Sequence, residues 1–387
     1  MSQQLAVSAE RIFDGHAWHE DAALVTKEGR VSAILPRRDL PPATPHHDLG
    51  DGMLVPGFVD LQVNGGGGVL FNNDPSVEAI RTICAAHARF GTTALLPTLI
   101  TDTPAVTGEA IAAGSAAAAE GVDGFLGLHL EGPHLSLARK GTHDPGLIRP
   151  MTPDDLQVLL ATRGHLPNLL CTVAAETVPP AQISALATAG IIVSIGHSDA
   201  GYDTTMQAFA AGACMATHLF NAMSQLGNRE PGVVGAVLDS PQVFAGVIAD
   251  GIHVHPASLG AALRARRQPG RLFLVTDAMS QTGTDISTLT LNGRTITRSG
   301  GALRLDDGTL AGADLDMIDA VRFMHRVIGL SLEEALRMAA LYPAEALGVA
   351  ASHGHLAAGA RSDFVHLGAD LDVRSTWIGS TRVWHAA

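Results

Sequence analysis

Two kinds of hydrophobic pattern share this chain. Up to about residue 53, runs such as LAVSAERIFDG and HAWHEDAALVTKEGRVSAIL carry strand-forming residues broken by Gly, Asp and Pro, without a helical period. They predict short strands joined by turns. From Pro56 onward, apolar strand-like runs alternate with helical segments. GFVDLQV precedes PSVEAIRTICAAHARFG, and TTALLPTL precedes TPAVTGEAIAAGSAAAAEG. FLGLHLE, LLCTVAAE and IIVSIGHS are followed by PDDLQVLLATRG, PPAQISALATAG and YDTTMQAFAAG. ACMATHLF, then VFAGVIADG with PASLGAALRARRQ, then RLFLVTDA complete the series. The eight strand candidates end near Gln62, Thr98, Glu131, Glu176, His197, His218, Asp250 and Asp277. Steps of roughly 20 to 45 residues fit successive units of a (β/α)8 barrel. The runs are apolar throughout, as strands buried on both faces are. A doubly wound sheet needs fewer strands and an early glycine fingerprint. NGGGG at 64–68 does not clearly open a helix, and reads as a flexible loop or a close backbone approach.

Residues 285–312 alternate Thr with apolar residues around Asn292-Gly293, a hairpin signal. Helices return in DMIDAVRFMHRVIG and in SLEEALRMAALYPAEALG, where Ser331 and Glu334 form a capping pair. The tail from His355 is strand-like again. The expected fold is therefore α/β: a TIM-like (β/α)8 barrel over 54–353 with a hairpin insertion near 285–312. Residues 1–53 and 354–387 would build a small β-sandwich domain beside it.

Composition narrows the setting. Only 16% of residues are charged, and the net charge is -13, which argues against general nucleic-acid binding. An anionic substrate then requires basic groups gathered locally. Cys84, Cys171 and Cys214 lie in apolar segments without metal-type spacing, and read as free thiols of a reducing compartment. The start has no basic n-region or apolar h-region, and no stretch is apolar for a membrane-spanning length. A soluble cytoplasmic protein is the expectation.

Chemistry enters at the strand ends, which converge on one mouth in such a barrel. Glu131 closes an apolar strand, where a charge is costly without a partner. Taken singly, Glu131 reads equally as a capping carboxylate, His197 and His218 as satisfied polar residues, and Asp277 as a helix cap. Together they form a metal constellation: Glu131, His197 and His218 supply the three protein ligands of a catalytic zinc, and Asp277 the base. Lys140, Arg229 and His253 near one mouth suit an anionic ligand such as a phosphate, although Arg229 alone could be an ordinary surface arginine. His129, His134 and His255 read as structural, and His16, His19, His46 and His47 as exposed.

PGFVDLQVNGGGG, LHLEGPHL, KGTHDP, GHSDA, THLFNAM, ADGIHVHP and LVTDAM, in this order and spacing, resemble the N-acetylglucosamine-6-phosphate deacetylase family of the amidohydrolase superfamily. The closing segment GHLAAGARSDFVHLG is similar too, so the resemblance covers nearly the whole chain. It implies a metal-dependent barrel with a small β-domain built from both chain ends. It implies metal binding by Glu131, His197 and His218, with Asp277 activating water and later protonating the leaving amine. His143 would polarise the acetyl carbonyl. Thr142, Asn221, Ala222, Arg229 and His253 match substrate contacts, the last four holding the phosphate. Leu310, Ala311 and Gly312 match a loop closing over the sugar. A homodimer is implied, because a partner subunit completes the site in this family. One departure concerns the superfamily's first strand, which usually ends in His-x-His for a second metal. Gln62 and Asn64 stand there, and amides are poor zinc ligands. One divalent metal per subunit is expected, zinc or alternatively iron.

Two other readings stay open. A sister enzyme is one: a deacetylase for N-acetylgalactosamine 6-phosphate, or a dihydroorotase-like or deaminase-like amidohydrolase. The last two would favour His-x-His and a carboxylated lysine. A non-catalytic barrel used as a scaffold is the other, and the retained Glu131, His197, His218 and Asp277 speak against it.

Overall fold

The computed structural model describes residues 4–386. Residues 1–3, part of the start read above as lacking a leader, and residue 387, which ends the proposed terminal domain, lie outside the described residues. At the centre run β1 (Phe58–Val63), β2 (Thr92–Ile100), β3 (Leu128–Glu131), β4 (Leu169–Val173), β5 (Ile192–Ile195), β6 (Met215–Ala216), β7 (Phe244–Val247) and β8 (Leu272–Leu274). They pair in chain order, all parallel. The ring nearly closes where β1 meets the segment after β8. There the Asp277 N–H donates to the Gln62 carbonyl at 3.0 Å, and the Asn64 N–H to the Ala278 carbonyl at 2.8 Å. Every residue of β1 to β4 is buried, which accounts for their unbroken apolar runs. This is the TIM-like barrel expected from the alternation.

Helices return the chain between strands: α1 (Val77–Ala88), α2 (Pro104–Glu120), α3 (Pro153–Thr162), α4 (Pro180–Thr188), α5 (Tyr202–Ala210), α6 (Gly232–Asp239) and α7 (Pro256–Ala265). Ser76, Thr103 and Thr152 cap α1, α2 and α3, each side chain accepting a backbone N–H of the first turn. The sequence pattern does not reveal α6: it is short, and Gly232 through Leu238 are all buried, so no amphipathic period shows. Beyond the barrel strands lie α8 (Met317–Arg326), α9 (Leu332–Ala339) and α10 (Leu341–Leu347). The last two replace the single helix expected over 331–348. Pro343 has no N–H for the carbonyl of residue 339, and the chain leaves helical geometry at Ala340.

The insertion forms four antiparallel strands, Thr288–Leu291, Arg294–Ser299, Ala302–Leu305 and Leu310–Ala313. Asn292 and Gly293 both have positive φ, 49° and 73°, as a tight hairpin turn requires. Its leucines and Ile296 pack on Leu70, Ile100 and Met279, which seats the sheet beside the barrel mouth. The chain ends supply two more sheets, one of four N-terminal strands and one of six strands drawn from both ends. Met53–Pro56 joins Arg11–Phe13 to Phe364–Leu367 in the latter. Among the described residues, no helix is long and apolar enough to cross a membrane. The three cysteines are unpaired, Cys84 and Cys171 fully buried.

Candidate active site

Glu131 is the last residue of β3; His197 and His218 follow β5 and β6 by two residues, and Asp277 follows β8 by three. His197, His218 and Asp277 have φ of 46°, 32° and 52°. Left-handed backbone at non-glycine residues costs ~1–3 kcal/mol each and persists where surroundings enforce it. Here each kink lies just past its strand's end, and the side chain it carries lines the mouth.

Glu131 Oε1, His197 Nε2 and His218 Nε2 stand 3.1 Å from one another, all three pairs alike. Ligand atoms about 2.0–2.1 Å from a tetrahedral ion are separated by roughly 3.3 Å, so the triangle has the size of one face of such a site. His197 Nδ1 lies 2.7 Å from the Arg139 carbonyl oxygen. That contact leaves Nε2 free to bind a cation. His218 Nδ1 is buried and has no hydrogen-bond partner. His143 lies against the cluster, its ring centroid 4.3 Å from that of His197. It also offers an atom within 4.8 Å of Glu131 and His197; the 3.1 Å triangle is the tighter set. Burial would push the Glu131 carboxyl up, but the adjacent His197 and His218 imidazoles outweigh it and hold it well below its usual value.

Gln62 and Asn64 are occupied otherwise than as ligands. Gln62 Nε2 lies 3.2 Å from Glu131 Oε2 and 3.2 Å from Asp277 Oδ1, and Asn64 Nδ2 lies 2.7 Å from Asp277 Oδ1. The amides therefore donate to both carboxylates and hold them side by side. Burial, and then the charge of Glu131, push the Asp277 carboxyl up to about 6.

These groups open into a cavity of about 520 Å³. Thr142, His143, Asn221, Ala222, His253, Leu310 and Gly312 also line it. The Thr142 hydroxyl is buried without a partner, and its carbonyl accepts from Arg294 of the insertion sheet. Phe220 and Ala222, at φ 79° and 46°, form the turn after His218. Asp250 Oδ2 lies 2.6 Å from His253 Nδ1, which turns the other ring nitrogen away from that carboxylate. Arg229 is exposed and does not line the cavity; Ala311 is buried in the core under the insertion sheet. Two lining cations were not singled out from the sequence, Arg139, paired to Asp199 at 2.7 Å, and Arg304, at the rim. Arg304 is exposed after the buried Leu303 in a strand, and no pattern in the sequence marks it for the cavity. His129 (between Thr98 and Thr172), His134 (on the Arg149 carbonyl) and His255 (capping α7) serve the framework.

The amidohydrolase family model matches residues 53–383. The chain belongs to the amidohydrolase family. An N-acetylgalactosamine-6-phosphate deacetylase of a Shewanella strain is 44% identical over 88% of this amidohydrolase and 86% of the relative. An N-acetylglucosamine-6-phosphate deacetylase of Haemophilus influenzae is 36% identical over 85% and 86%. Among solved structures, the N-acetylglucosamine-6-phosphate deacetylase of Pasteurella multocida superposes with a TM-score of 0.94 at 36% identity, covering 98% of this chain and 99% of that one. A variant of the Mycobacterium smegmatis enzyme, solved in complex with N-acetyl-D-glucosamine-6-phosphate, gives 0.89 at 34% identity, covering 99% of each. In this amidohydrolase, a cation-sized triangle, a carboxylate raised toward neutrality and a neighbouring imidazole share one cavity. That set suits hydrolysis of an amide.

Proposed function

We propose that this amidohydrolase hydrolyses the N-acetyl group of N-acetylglucosamine 6-phosphate, giving glucosamine 6-phosphate and acetate. The observation that carries the reading is the 3.1 Å triangle of Glu131, His197 and His218 opening beside Asp277 into one cavity. The three residues would hold one divalent metal, zinc or alternatively iron. Two nitrogens and one carboxylate oxygen are a donor set both ions accept. When bound, the ion makes water more acidic and offers positive charge to the carbonyl oxygen. Asp277 takes the proton from the attacking water and returns it to the leaving amine, held meanwhile by Asn64 and Gln62. His143 faces the acetyl carbonyl. The Asn221–Ala222 turn and His253 take the phosphate, joined by Arg229, which stands outside its own chain's cavity and would act from a second copy; Thr142 contacts the sugar, and the loop of Leu310, Ala311 and Gly312 closes over it.

Further parts belong to the same reading. Arg229 and the neighbouring Leu226 are exposed, which suits a face covered by a second copy in a homodimer. The small domain comprises 1–53 and 354–387 and the barrel 54–353, and the protein works in the cytoplasm on a small amino-sugar phosphate. Nucleic acid and membrane are not among its partners. The relative at 44% identity favours a second reading, N-acetylgalactosamine 6-phosphate as substrate. Acetate release from the two sugar phosphates, with and without a chelator, tests both. Faster turnover of the gluco epimer is expected. Absence of release from either sugar phosphate by metal-loaded protein refutes the deacetylase reading.

A further inference from the structure

His143 and His197 meet edge to face at the mouth, yet their backbone partners differ in kind. His197 Nδ1 meets the Arg139 carbonyl at 2.7 Å. A carbonyl only accepts, so Nδ1 carries the proton and Nε2 the lone pair that a cation needs. His143 Nδ1 receives the backbone N–H of Thr101 at 3.3 Å, and the Thr101 hydroxyl lies 2.7 Å from the same nitrogen. An amide N–H only donates, so this Nδ1 carries the lone pair and the proton of the neutral ring sits on Nε2.

We infer that Thr101 is a positioning residue: its N–H and hydroxyl lock His143 in the Nε2–H tautomer, so the ring donates a hydrogen bond to the substrate and does not ligate the metal. The identity of the acceptor, an acetyl carbonyl, rests on the deacetylase reading. The tautomer does not. Proximity alone would recruit His143 as a ligand beside Glu131 and His197, but a nitrogen that bears a proton has no lone pair for a cation. On the deacetylase reading, such a donor would serve the oxygen on which negative charge develops as water adds to the carbonyl, and it would strengthen in the transition state.

The surroundings of Thr101 fit this task. It follows the last residue of β2 and is 1% exposed. Its hydroxyl also lies 3.4 Å from the Glu131 carbonyl oxygen. Gly132, at φ 91°, leaves room for that hydroxyl, because a Cβ there would come within 2.2 Å of it. The same threonine thus touches the strand that carries Glu131 and the ring of His143.

The test uses full-length, zinc-loaded protein labelled with 15N in its histidines. Proton–nitrogen correlation spectra should assign His143 as Nε2–H and His197 as Nδ1–H. Thr101→Val removes the 2.7 Å contact without changing side-chain shape, and should lower kcat about tenfold or more while KM and zinc content hold. Thr101→Ser should recover most of the rate. An Nδ1–H signal from His143 in the unmodified protein, or full turnover in Thr101→Val, overturns the inference. Correct tautomers in a protein that releases no acetate from either sugar phosphate would instead remove the substrate reading and leave the tautomer assignment standing.

Discussion

Replacing Asp277 by asparagine isolates the base from the metal. The substitution preserves shape, and the new side chain keeps an oxygen for the donors Asn64 and Gln62, now at 2.7 and 3.2 Å from Oδ1. Glu131, His197 and His218 are untouched, so metal content should equal that of the parent by elemental analysis. What disappears is the proton acceptor. A positioned general base contributes about 10²- to 10⁴-fold, and at ~1.36 kcal/mol per decade the barrier should rise by about 2.7–5.4 kcal/mol. Initial rates of acetate release at saturating N-acetylglucosamine 6-phosphate measure this directly. The pH profile adds a second reading. Asp277 is pushed up to about 6 by burial and by the charge of Glu131, and it must be ionised to act. Activity should therefore fall on the acid side, as pH drops toward and below about 6. A cation that offsets Glu131 would move this limb lower, and the limb should vanish from the residual rate of the variant. A rate within a few-fold of the parent, or an unchanged acidic limb in the variant, would refute the assignment.

Three further outcomes are expected. His197→Ala removes one corner of the 3.1 Å triangle and should release the metal; undiminished metal after gel filtration would rule it out as a ligand. Asp60, fully buried against the Thr276 hydroxyl at 2.6 Å, is pushed by burial up to about 7. The unfolded chain ionises first, so its stabilising contribution is full below about pH 4 and is lost as pH rises to about 7, up to a few kcal/mol. The Tm difference between the parent and Asp60→Asn should shift against the parent over that range, and a constant difference would contradict the burial argument. Gly132→Ala places a methyl within 2.2 Å of the Thr101 hydroxyl at φ 91° and should cost about 2 kcal/mol or more along with most of the turnover. A parent-like Tm and rate would show that the loop yields freely.

The barrel was legible because its strands are buried on both faces, so composition alone marks them. The four mouth residues were legible because each breaks an apolar run with a charge or an imidazole. The remainder was hidden for physical reasons. Helix α6 is buried nearly all round and shows no period. Strand β2 runs to Ile100, two residues past the polar Thr98 at which the sequence pattern ends it, so nothing in the pattern marks Thr101. Arg139 reaches the cavity from the end of a short 3-10 turn whose path only tertiary packing sets. Conversely, Arg229 sits close in sequence to His218 yet lies outside the cavity.

The amide pair at the end of β1, Gln62 and Asn64, has a consequence for how this barrel could change its chemistry. Installing imidazoles at 62 and 64 would not simply add ligands, because Gln62 and Asn64 tether Asp277 and Gln62 also braces Glu131. On the reading proposed above, the swap would release the base Asp277 at the moment a second ion arrived to compete for it. A route from one ion to two therefore runs through an inactive intermediate, and an engineered binuclear descendant would need a replacement tether designed in the same step.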